Sequence, residues 1–280
     1  MNKIIIAFDG KHYSEGAVKA ALHINSQQPS LLVGVFINGL TNYGQLVMQA
    51  PETPDLMAFI EEDQGKSIAE HKEKFRTACI EHNASFRMHE DKPLFIIEEM
   101  IRESRFADLL IIGGEMFYRN PKHKDEHAIH MLRNAIEKSE CPVFVVPENF
   151  NPPQSVVLSY DGSASSAYAI RQFSYLLTSY TNLPVTLLYA DNDPDDDVDL
   201  LPEKDLVEEL IGRHFDNLTV TSLQGDFKAE LHNYLQTQTN TIVVLGSFSD
   251  DRGFFDKLFQ RSTANPLLEN MTTPLFIAHK

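Results

Sequence analysis

The chain writes one pattern twice, and this repeat constrains its fold more than any single motif. "IIIAFDGKHYSEGAVKAA" (Ile4 to Ala21) and "VVLSYDGSASSAYAIRQF" (Val156 to Phe173) share a layout. Each is an apolar run, an Asp-Gly turn, then small and polar residues opening a helical pattern. Asp9-Gly10 and Asp161-Gly162 lie 152 positions apart, and Ser14 with Ser166 and Ala17 with Ala169 keep that spacing. Further on, "ADLLIIGG" (Ala107 to Gly114) resembles "NTIVVLGS" (Asn240 to Ser247), and "CPVFVVPE" resembles the closing "TPLFIAHK". The landmarks keep their order, so the simplest account is two copies of one domain, residues 1–150 and 151–280. They join at "PENFNPPQS", whose Pro and Asn cluster reads as a linker.

Each copy alternates short β-branched runs with helical stretches. The first predicts strands at Lys3–Phe8, Leu31–Ile37, Ser85–His89, Leu109–Ile112 and Val143–Val146. The second predicts them at Ser155–Ser159, Val185–Tyr189, Leu218–Ser222, Ile242–Leu245 and Leu275–Ala278. Helices are expected at Ser14–Ser26, Gln64–His82, Leu94–Arg105, Ser165–Thr178 and Asp226–Thr237. Apolar strands without polar alternation suit a parallel sheet covered on both faces, and this alternation gives a doubly wound α/β fold. Ligands of such sheets sit at the carboxyl ends of strands where strand order reverses. The Asp-Gly turns and the Gly113 and Gly246 turns fall there.

A formal net charge of −16 repels polyanions, so neither nucleic acid nor an anionic membrane is an expected partner. Two cysteines, Cys79 and Cys141, exclude a disulfide framework and fit a reducing compartment. The first apolar run ends at Asp9-Gly10, too short for a signal peptide, and no stretch approaches about 20 apolar residues. The expected location is the cytoplasm.

With these landmarks the chain resembles the universal stress protein family, in its tandem two-domain form. The motifs quoted above carry the resemblance, together with "GDFKAEL" (Gly225 to Leu231), over nearly the whole chain. The resemblance implies a five-stranded parallel sheet per domain, the domains packed as a pseudo-dimer through their last strands. Single-domain relatives make that contact as homodimers, and pairing of this chain with a second copy stays open. Some of the family bind ATP and others do not.

The ATP-binding branch carries G-x2-G-x9-G-[ST] after the fourth strand, where glycines let backbone N–H groups reach the triphosphate. By that resemblance Asp161, Gly162, Gly246, Ser247, Arg261 and Ser262 would form a site in the second copy, with Asp9, Gly10 and Gly113 in the first. The first copy has no glycine between Gly114 and Pro142, and Ile129 and His130 stand where the family has Gly and Ser. Glu115 adds an anion, so this site is expected to be closed to ATP. In the second copy Ser249 replaces the second glycine, Arg261 the third, and the loop is two residues longer. Asp250 and Asp251 would repel a triphosphate, whereas Arg252 and Arg261 would attract one. Asp9 and Asp161 also have a purely structural reading, as turn and helix-capping residues.

Other constellations point less far. His123, His127 and His130 at i, i+4 and i+7 would share one helical face and offer a metal site, although Pro121 and the nearby charges also suit a solvated loop. Asp191 to Asp205 reads as a solvated acidic loop, without the Gly and closing Glu of a calcium loop. The segment from Ile37 to Phe59, with Tyr43, Leu46, Val47 and Met48, is too apolar for free solvent and is expected to cover the sheet edge or another subunit. Ser163, Ser165 and Ser166 lack the consecutive glycines of a pyrophosphate-wrapping loop, and no nucleophile elbow or Walker loop occurs. The sequence therefore favours a non-enzymatic stress-response binding or scaffold module, with at most weak adenine-nucleotide binding in the second domain. The alternatives are a slow ATP-hydrolysing enzyme at the second site and a pure scaffold whose pockets Ile129 and Arg261 fill.

Overall fold

The computed structural model describes residues 2–9, 12–37, 54–91, 96–114, 136–191, 201–224, 227–238, 240–246 and 273–278. Its contacts divide the chain into two compact units, Met1–Cys141 and Pro142–Lys280. The division precedes Val143–Val146, so the last strand of the first sequence copy is grouped with the second unit.

In the first unit, strands β1 (Lys3–Asp9), β2 (Leu31–Ile37), β3 (Phe86–Asp91) and β4 (Leu109–Gly113) lie in the order β3-β2-β1-β4. All their pairings are parallel, with Ile5 opposite both Val33 and Leu110. Ile4 to Phe8 and Leu109 to Ile112 are buried without alternation, as expected of strands covered on both faces. Helix α1 (Glu15–Gln27) turns Ala17, Ala20, Ala21 and Ile24 inward, and its cap Ser14 accepts from the Ala17 N–H at 3.3 Å. Helix α2 (Pro54–Glu81) starts ten residues before the expected Gln64, with Pro54 at its first position, where a missing N–H costs nothing. Most of the apolar segment that precedes it, residues 38–53, lies outside the described residues.

Helix α3 (Ile96–Ser104) is tied to the sheet by Glu103, whose carboxylate takes Lys3 Nζ at 3.3 Å and His89 Nδ1 at 2.8 Å. Asp108 accepts from the N–H groups of Asn2 and Lys3 at 2.7 and 2.9 Å, fixing the entry into β1. Cys79 and Cys141 are both buried. Burial pushes the Cys79 thiol up to about 11 and the Cys141 thiol up to about 12, the latter against a weak Ser139 hydrogen bond. Both groups stay protonated when folded, and unfolding frees them to ionise near 9. Their contribution to stability is therefore complete below pH 9 and is lost as pH rises toward those values. At pH 8 the native protein is expected to leave a disulfide-exchange reagent such as Ellman's unreacted, and to release two equivalents in denaturant. Prompt reaction of the native thiols would contradict this burial.

The second unit holds β5 (Val143–Val146), β6 (Ser155–Tyr160), β7 (Val185–Asp191), β8 (Leu218–Gln224), β9 (Thr241–Gly246) and β10 (Leu275–Ala278). Their order is β5-β10-β9-β6-β7-β8. β5 runs antiparallel to β10, Phe144 opposite Phe276, and the remaining described pairings are parallel. Helices α4 (Ala164–Leu176), α5 (Lys204–Gly212) and α6 (Phe227–Gln236) connect them. α5 corrects the expectation of an acidic loop through Asp205. Val207 and Ile211 are buried, and that apolar pair holds the last part of the stretch as helix. Residues 192–200 of the same stretch lie outside the described residues.

Candidate functional site

Strand order reverses at the β6–β9 boundary of the second unit and the β1–β4 boundary of the first. A doubly wound sheet opens its ligand crevice at the carboxyl ends of such strands. In the second unit Leu158 is opposite Val244, which sets Tyr160 and Gly246 level at the mouth.

Local geometry explains each residue there. Gly162 sits at φ +79, a conformation costly for any side chain, and a Cβ on it would lie 3.0 Å from Pro202 Cβ. Asp161 is exposed, and its Oδ1 accepts from the Ser163 N–H at 2.9 Å, closing the turn. Ser163 caps α4, its Oγ accepting from the Ser166 N–H at 3.1 Å, while Ser166 Oγ donates back to the Ser163 carbonyl at 2.9 Å. A Cβ on Gly246 would lie 2.6 Å from Ser166 N, 2.7 Å from Ser165 C and 2.8 Å from Ser166 Cα. The end of β9 therefore rests directly on the backbone of the first turn of α4. On its Cβ side this glycine has no room for any side chain. Replacing Gly162 by Ala is expected to lower stability by about 1–2 kcal/mol, from the positive φ and the Pro202 contact together. A melting temperature equal to wild type would refute the strain at this turn.

The mouth is also acidic. The Tyr160 phenol is raised above its ordinary value, first by burial, then by the Glu203 and Asp161 carboxylates nearby. Glu203, at the cap position of α5, adopts φ 50 with no side-chain cap bond. Two carboxylates here disfavour an incoming polyanion.

In the first unit the corresponding end is aromatic. Phe8 stacks on Tyr13 at 5.3 Å and 8°, and on Phe36 at 4.8 Å and 9°. Tyr13 directly precedes the α1 cap, and His71 meets its ring at a tilt with centroids 5.8 Å apart. Lys74 Nζ stands 5.7 Å from the Tyr13 ring and Lys72 Nζ 5.9 Å from that of Phe36. Burial, followed by Cys79 and Glu15, raises the Tyr13 phenol well above its ordinary value.

Of the residues singled out from sequence, Asp161, Gly162 and Gly246 meet at one mouth. Asp9 ends β1 in register with Ile37, and Gly113 ends β4. Gly10, Ser247, Arg261, Ser262, His123, His127 and His130 lie outside the described residues, as do Glu115, Ile129 and Asp250 to Arg252. Among the described residues no group of three or more His, Cys, Asp or Glu could hold a metal ion, and no helix is long and apolar enough to cross a membrane. Sequence reasoning missed Tyr13, Pro202 and Glu203. Tyr13 had a signal, an apolar side chain just before a Ser cap, the position of a hydrophobic staple. Pro202 and Glu203 were submerged in the acidic run.

No protein-family model matches the chain, and no curated protein matches it by sequence. Solved structures do match. A universal stress protein from Archaeoglobus fulgidus DSM 4304 aligns over 100% of this chain and 96% of its own, with TM-score 0.63 at 15% identity. The chain has the universal stress protein fold. A functionally unknown protein from Pseudomonas aeruginosa PAO1 covers 100% of this chain and 92% of its own, with TM-score 0.54 at 12% identity. The cytoplasmic domain of a prokaryotic cation chloride cotransporter covers 99% and 94%, with TM-score 0.51 at 12% identity. At these identities the likeness is one of architecture. The universal stress protein fold thus frames both mouths, and what they hold must be argued from their own residues.

Proposed function

We propose that the chain is a tandem universal stress protein of the cytoplasm, a non-enzymatic binding or scaffold module of a stress response. Its copies, residues 1–150 and 151–280, form a pseudo-dimer within one chain, a reading supported by the antiparallel pairing of their closing strands at Phe144 and Phe276. Adenine-nucleotide binding is at most weak and confined to the second copy.

One observation carries the nucleotide part of this reading. At the mouth between β6 and β9, the glycine that should approach a phosphate instead abuts the backbone of α4, beside Asp161 and Glu203. A triphosphate seated at this mouth would face those two carboxylates. In the first unit, Tyr13 stacked on Phe8 supports a closed site as well. Slow ATP hydrolysis, the rival reading, would need Mg²⁺-bound triphosphate to seat against that glycine.

The test is isothermal titration of Mg-ATP into the full chain, beside an Arg261→Glu variant and an ATP-hydrolysis assay. Expected is no saturable heat, or millimolar binding that the variant removes, and no turnover above buffer. Micromolar binding or turnover that Arg261→Glu abolishes would overturn the reading in favour of a nucleotide enzyme.

A further inference from the structure

We propose that β8 is an edge through which two copies of this chain join, their β8 strands running antiparallel in one continuous sheet. This inference stands independently of the nucleotide reading. Among the described residues β8 pairs with β7 alone and ends the strand order of the second unit. Its pairing runs unbroken from Val185 opposite Leu218 to Asp191 opposite Gln224, so no bulge twists the edge away. Thr219 is exposed, and Val220 keeps 43% of its surface open although it is a β-branched apolar residue.

Proteins ordinarily guard such an edge with charges, proline or a bulge, because its outward N–H and C=O groups invite another strand. "LTVTSLQ" contains none of these devices. The edge strand of the first unit shows the contrast, since "FRMHED" carries Arg87, His89, Glu90 and Asp91 within six residues. Among the described residues, one edge strand is guarded by charge and the other is not.

Charge then selects the partner. Two copies of a chain with net charge −16 repel wherever their acidic faces meet. β8 has no ionisable side chain, so an antiparallel pair of these strands sets no like charges opposite one another. A two-fold axis at Thr221 would place Val220 against Ser222 and Thr219 against Leu223, cross-strand pairs of the kind that stabilise sheets. Each copy supplies the same strip, so the interface is isologous and closes at two subunits. A strand edge is a small contact, so the dimer exchanges quickly and raised salt tightens it by screening the acidic remainder.

The test is sedimentation velocity of the full chain over a wide concentration range, with Val220→Lys and Met88→Lys as variants. Wild type is expected to shift with concentration from monomer to dimer. Val220→Lys should remain monomeric throughout with an unchanged melting temperature, while Met88→Lys, in the guarded strand β3, should behave as wild type. If Val220→Lys melts early, Thr219→Glu on the opposite face replaces it, and loss of the dimer with a native melt supports the proposal. A wild type that is monomeric at every concentration overturns it. So does a dimer that survives both β8 substitutions, or association that Met88→Lys removes equally, which would mean β8 meeting β3 in open chains.

Discussion

Phe75→Ala is expected to lower the stability of the first unit by about 3–5 kcal/mol, the usual cost of emptying a buried aromatic site. Phe75 projects from α2 and has no exposed surface. Its ring meets Phe8 at 5.7 Å, Phe36 at 6.2 Å and Phe86 at 6.0 Å, all edge-on, so one side chain links β1, β2 and β3. It also lies on Gly34, where an added Cβ would come within 3.0 Å of the ring. The sheet has thus shaped itself to this side chain, and neighbours already stacked in parallel have little freedom to collapse into the void. A domain of this size has only about 5–15 kcal/mol in hand, so the first unit should melt early and separately from the second. Urea unfolding followed by circular dichroism would show it, with Arg76→Ala, exposed on the same helix, as the control that does not move. A single unshifted transition would mean that α2 does not organise this core.

Gly246→Ala is expected to cost about 2–3 kcal/mol in the second unit without any ligand present, the range for overpacking a close contact. All three atoms that the new methyl would meet belong to the backbone of α4, so no side chain can rotate aside. The first turn of α4 or the end of β9 must move by several tenths of an ångström, against the caps at Ser163 and Ser166. For a unit of this size the melting temperature falls by roughly 4–12 °C. Differential scanning calorimetry of the free protein decides the matter. A wild-type melt in the variant would refute this overpacking.

Much of the architecture was legible because it repeats. Every expected strand forms, and Leu31–Ile37, Val143–Val146 and Leu275–Ala278 keep their expected bounds. Apolar runs of that length flanked by turn residues have few other solutions. The 152-residue spacing that aligns β1 with β6 does not align the helix caps that follow them, however. Ser14 caps α1 but Ser163, not Ser166, caps α4, so α4 begins one turn nearer its strand. Both serines fit a helix start, and only packing selects between registers three residues apart. Helix α5 was hidden for a related reason, since its apolar pair follows a run of carboxylates that dominates any local reading.

The sequence by itself determined a doubled α/β domain, the turn at Gly162 and the acidic surface, because strand hydrophobicity, positive φ and net charge are properties of short segments. Only the tertiary structure decided what Gly246 and Asp161 touch. A glycine after a strand reads alike whether a phosphate or a helix comes close, and an aspartate alike whether it faces a ligand or closes a turn. The neighbours they meet, the first turn of α4 and the Ser163 N–H, are brought there by the fold. Tyr13 stacked on Phe8 and the place of β8 at the end of the described strand order are likewise three-dimensional facts, since stacking and strand neighbours are set by chain segments far apart in sequence.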